Sequence, residues 1–81
     1  MNALLKSETE ATLEDFLNGA ISPQDFEGWI ISCIDEFPES EQAPLWELRL
    51  LVTEYGEGLR PLKDAKTRAK RLLGKISASQ R

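Results

Sequence analysis

Histidine is absent from the 81 residues, and cysteine occurs once, at Cys33. The chain therefore lacks the commonest general base and metal ligand, and one thiol makes neither an internal disulfide nor a sulfur cluster. No nucleophile and base can be paired from Cys33 alone, so an enzyme is not expected. Long apolar runs are missing too: none approaches the roughly 20 residues of a membrane span. The opening MNALLKSETE has no signal-peptide core, and a cytoplasmic protein is expected. Period-two alternation is also missing, and no Asn-Gly or Asp-Gly turn joins two β-branched runs, so strands are not indicated. Nothing reads as a cofactor motif, and none is expected.

What is present is an ordinary soluble composition, 41% hydrophobic and 30% charged, in a length with room for one domain. The net charge of -4 argues against a general nucleic-acid binder, but it hides an asymmetry. Residues 1–58 hold 13 acidic and 2 basic side chains, a balance of -11, whereas residues 59–81 hold 1 acidic and 8 basic, a balance of +7.

The strongest helical signal is Ser22 to Phe37. Phe26, Trp29, Ile30, Cys33, Ile34 and Phe37 fall on one helical stripe, Ser22 suits an N-cap, Pro23 suits the first helical position, and Pro38 opposes continuation. Cys33 on that stripe reads as a small buried hydrophobe. Ahead of it, Ser7 and Glu10 have capping-box spacing, and Leu13, Phe16, Leu17 and Ala20 keep helical register up to Asn18-Gly19, which suits a left-handed helix end. Residues 1–6 have no start signal and read as a loose arm or a first helical turn.

The segment Pro38 to Pro44, PESEQAP, reads as a loop. A third helix then places Leu45, Leu48, Leu51, Val52 and Tyr55 inward. Trp46 and Leu50 lie off that stripe, so this helix is either contacted from two sides or leaves an apolar patch that could support homo-oligomers. After Gly56-Glu57-Gly58, a fourth helix starting near Pro61 turns Leu62, Ala65, Ala69, Leu72, Leu73 and Ile76 inward. The expected fold is an all-α, compact antiparallel four-helix bundle, with helices over about 7–19, 22–37, 44–55 and 60–76 and with residues 1–6 and 77–81 fraying. Laid against acidic helices 1 and 3, the basic helix 4 would gain Coulomb attraction.

Three groups of residues are candidates for function. Asp35, Glu36, Glu39, Glu41 and Glu47 cluster around the second connection, where they form either a ridge that steers a basic partner or a solvated loop with helix-dipole charge. Trp46 beside them is either an interface anchor or a lid on the bundle end. On helix 4, Lys63, Lys66 and Lys70 share one stripe, for which a solvated, ion-paired face is the expected role and phosphate contact the alternative. The carboxylate pairs Glu14-Asp15 and Asp35-Glu36 point different ways on a helix and suit no acid–base chemistry. Glu39 and Glu41 lack calcium-loop spacing, and no metal site is expected.

Leu13, Phe16, Leu17, Ile21, Ser22 and Phe26, within LEDFLNGAISPQDFEGW, resemble the opening of bacterial colicin D-like immunity proteins. The resemblance implies a small helical bundle that blocks a toxin nuclease with acidic side chains, and hence a stoichiometric inhibitor. The basic fourth helix departs from it. The function expected is a small acidic inhibitor of immunity or antitoxin type that binds a basic nuclease or nucleic-acid-handling protein, without a membrane and without direct nucleic-acid contact. Two alternatives are a phage or plasmid anti-defence inhibitor that mimics nucleic-acid charge, and a nucleic-acid-binding accessory protein that uses helix 4.

Overall fold

The computed structural model describes residues 3–78. They form four helices, α1 (Ala3–Asn18), α2 (Pro23–Cys33), α3 (Glu39–Gly56) and α4 (Leu62–Ala78), with a single 3-10 turn over Ile34–Glu36. The all-α four-helix bundle expected from periodicity is the fold found. None of the described helices is long and apolar enough to cross a membrane.

α1 begins four residues before the Ser7 signal. Leu5 is buried and Thr9, fully buried, donates its hydroxyl to the Leu5 carbonyl at 2.7 Å, so the core stripe Leu5, Thr9, Leu13, Phe16 runs back past Ser7. Packing of Leu5 outweighs the local cap signal, and the Glu10 carboxylate, instead of closing a capping box, accepts from Ser77 Oγ of α4 at 2.9 Å. Residues 3–6 and 77–78, expected to fray, are thus helical. The rest of that expectation, residues 1–2 and 79–81, lies outside the described residues.

Two of the helix ends use the same device. At Gly19 (φ 77°) the amide donates to Phe16 O, and Ala20 N–H donates to Asp15 O; at Gly58 (φ 77°) the amide donates to Tyr55 O, and Leu59 N–H to Glu54 O. This is the double closure of a Schellman motif, which needs a left-handed residue after the helix. Ala20, expected inside, lies beyond the first of these closures and is exposed.

α2 is capped as its sequence indicates, with Ser22 Oγ accepting from Asp25 N–H at 3.1 Å. It tightens into the 3-10 turn after Cys33 because Pro38 holds Phe37 extended (φ -88°, ψ 148°). The expected loop from Pro38 to Pro44 is instead the cap and first turns of α3. Pro38 sits outside the helix, Glu39 and Glu41 bring negative charge to its first turn, and Gln42 Nε2 donates to Phe37 O at 3.0 Å. Pro44 is the sixth helical residue, and the amide it lacks would have served Ser40, which is exposed to water.

Around the bundle, α4 packs between α1 and α3, and α3 between α4 and α2. Buried Ala65 and Ala69 let α4 approach its neighbours closely. α1 and α2 meet through an aromatic run: Phe16 stacks on Phe26 with centroids 4.2 Å apart, Phe26 on Trp29 at 5.9 Å, and Trp29 meets Phe37 edge-on at 6.4 Å. Leu45, Leu48, Val52, Leu72 and Ile76 complete the core, whereas Tyr55, expected inward, is exposed at the end of α3.

Candidate functional site

The acidic ridge divides between two sides of the molecule. Asp35 and Glu36 on the 3-10 turn and Glu39 at the start of α3 are exposed at one end of the bundle. Because α3 starts at Glu39, Glu41 and Glu47 rotate away from them at 100° per residue, toward α4. Glu47 Oε2 lies 3.0 Å from Arg68 Nη1, and Glu41 Oε2 is enclosed without a hydrogen-bond partner beside Pro44, Leu72, Lys75 and Ile76. Trp46 stays on the outward side with Glu39, two turns away, and with Ala43 and Leu50. It is 43% exposed and Leu50 58% exposed, so α3 leaves an apolar patch rather than being covered from two sides.

The indole of Trp46 lies beside a cation whose own Nε is enclosed without a hydrogen-bond partner. The Arg49 guanidinium lies 5.4 Å from its ring centre, and Arg49 Nε lies 4.0 Å from Glu27 Oε2 of α2, which also accepts a hydrogen bond from the Thr53 hydroxyl. Trp46, Arg49, Glu27 and Thr53 therefore form one chain of contacts across α2 and α3. Ile31, 48% exposed, lies one turn beyond Glu27 on the same side of α2, in the direction of Trp46. At the other end of this face a hollow of about 450 Å³ opens, walled by Pro23, Glu27, Thr53 and Tyr55. Periodicity missed Glu27, Arg49 and Thr53 as site residues. The available signal was Arg49 itself, one of two bases in the first 58 residues and three positions from Trp46.

Helix α4 presents the opposite chemistry. It lies against acidic α1 and α3 as charge suggests, yet Arg68 to Glu47 is the single ion pair it makes with another helix among the described residues. Arg60 pairs with Glu54 at 3.0 Å and Asp64 at 3.5 Å, pinning the α3–α4 connection. Lys63, Lys66, Lys70, Arg71 and Lys75 have no carboxylate within salt-bridge distance among the described residues. The expected ion-paired face is thus largely unpaired. Lys66 is half-buried on the side that carries Leu73 and Ser77 toward α1, so the expected Lys63–Lys66–Lys70 stripe opens instead toward Arg71 and Lys75.

Cys33 is buried, and burial, reinforced by the nearby carboxylates of Glu36 and Glu8, pushes its thiol up to about 11. That is the opposite of an activated nucleophile. Among the described residues no three acidic or thiol side chains gather in a way that could hold a metal ion. In comparisons with known proteins, no protein-family model, no curated protein and no solved structure matches the chain.

Proposed function

We propose that the protein is a small stoichiometric inhibitor of the immunity or antitoxin kind, which neutralises a basic nuclease or nucleic-acid-handling protein by docking it on the α2–α3 face. The observation that supports this reading is Trp46: a large aromatic, 43% exposed, with the Arg49 guanidinium beside its ring, Leu50 one turn on and the carboxylates of Asp35, Glu36 and Glu39 at the adjoining end. An aromatic side chain has only two torsions to lose on binding and fills a partner's pocket, while the acidic rim speeds encounter with a basic surface and rejects acidic ones. The likeness of Leu13–Phe26 to colicin D-like immunity proteins favours the same class.

The test is affinity capture on the immobilised chain from its native host, together with co-expression of the product of the adjacent gene. A basic protein retained at one copy per chain is expected, its association slowing as salt rises. Trp46→Ala is expected to weaken the complex by about 2 kcal/mol, roughly thirtyfold. Retention of nucleic acid alone, or full affinity with Trp46→Ala, would defeat the reading.

A further inference from the structure

We propose that the outer face of α4 is a second interaction surface, independent of the α2–α3 face, which binds the phosphate backbone of a duplex nucleic acid without reading its sequence. Lys63, Lys70, Arg71 and Lys75 are exposed and unpaired among the described residues, with Thr67 and Gly74 between them. From Lys63 to Lys75 the row spans about 18 Å of helix, a length over which a duplex presents roughly ten phosphate charges. Arg68 and Arg71 continue it into a shallow groove against α3, where Pro44 and Leu72 form the wall.

Three features of this face narrow the ligand. The large apolar residues of α4 pack on the core, Leu72 and Ile76 buried and Leu62 and Leu73 half-buried against it, so the outer face offers no apolar stripe to a lipid bilayer. α4 carries no aromatic side chain on which an unpaired base could stack, which disfavours single strands. Of the carboxylates that approach α4, Glu47 is engaged with Arg68 and Asp64 with Arg60, and Glu41 is half-buried beneath the Lys75 end of the row. Charges farther off than about 8 Å are largely screened at physiological salt, so a phosphate at α4 feels the adjacent cations more than the acids on the far side of the bundle.

The test is fluorescence anisotropy of a labelled random duplex of about 20 base pairs, titrated with the full chain from about 50 to 200 mM salt. Weak binding is expected, in the micromolar range, with a log–log salt slope near -3.6 for about four phosphate contacts. The Lys63→Glu, Lys70→Glu, Arg71→Glu variant is expected to lose at least about tenfold in affinity. The milder Lys70→Gln, Arg71→Gln pair, whose fold is checked by circular dichroism, is expected to lower the slope by about two. The proposal is overturned if the folded chain gives no anisotropy change at the lowest salt, if both variants bind as the parent does, or if poly-glutamate competes as well as unlabelled duplex at equal charge.

Discussion

The α2–α3 face and the outer face of α4 are both exposed and both charged, yet one is wired and the other is free. On the first, Trp46, Arg49, Glu27 and Thr53 hold one another across two helices. On the second, four cations stand in a row with no partner among the described residues, although α4 is flanked by two acidic helices. A wired surface has a fixed shape and selects a partner by fit. A free one acts through field, at longer range and with strong salt dependence. Beyond Arg68 with Glu47 and Arg60 with Glu54 and Asp64, the charge asymmetry of the chain does little to hold the bundle together. The aromatic run and the aliphatic core around Ala65 and Ala69 do most of that.

The largest effect is therefore expected in the core that carries both faces. Phe26, fully buried and stacked on Phe16, should cost about 3–5 kcal/mol when cut to alanine, and urea unfolding should show both faces lost in a single transition. Next comes Cys33. Its thiol rises from 9.0 to about 11 in the fold, so at pH 8 alkylation of the native protein should be about a hundredfold slower than that of the unfolded chain. The linked stability is fully present below pH 9 and is lost as pH climbs from about 9 through 11, because the unfolded thiol gives up its proton first. A Cys33→Ala variant should lack that part of the alkaline decline. The smallest effects compare the two faces directly. Glu27→Ala, which cuts the chain behind Trp46, should cost about 1 kcal/mol and change the Trp46 emission, whereas Lys70→Ala should stay within about 0.5 kcal/mol of the parent. Equal costs would erase the distinction between a wired and a free face.

How much of this was legible in the sequence depended on how local the deciding force was. The α2 stripe and its Ser22 cap are set by neighbours within a turn or two, and they fold as read as far as Cys33, where the helix expected to reach Phe37 gives way to the 3-10 turn. The Gly19 and Gly58 closures are equally local. The start of α1 lies ahead of its Ser7 signal because the burial of Leu5 is a tertiary contact that a cap rule does not contain. Pro38 and Pro44 made PESEQAP look like a loop, although one of them only caps α3 and the other falls in its second turn. That shift sets the helical phase of the acidic residues, so Glu41 and Glu47, neighbours of Asp35 and Glu36 in sequence, turn toward α4. The contact from Trp46 to Arg49 to Glu27 joins residues 19 or more positions apart at its far end, and no periodic pattern encodes it.

The claim that the two faces are separate devices is tested most directly by mapping amide and indole NMR shifts of the ¹⁵N-labelled chain as duplex is added. Shifts confined to Lys63–Lys75, with the Trp46 indole and the Glu27 amide unmoved, are the result predicted. Movement of the Trp46 indole together with α4, or shifts centred on α2 and α3, would contradict it.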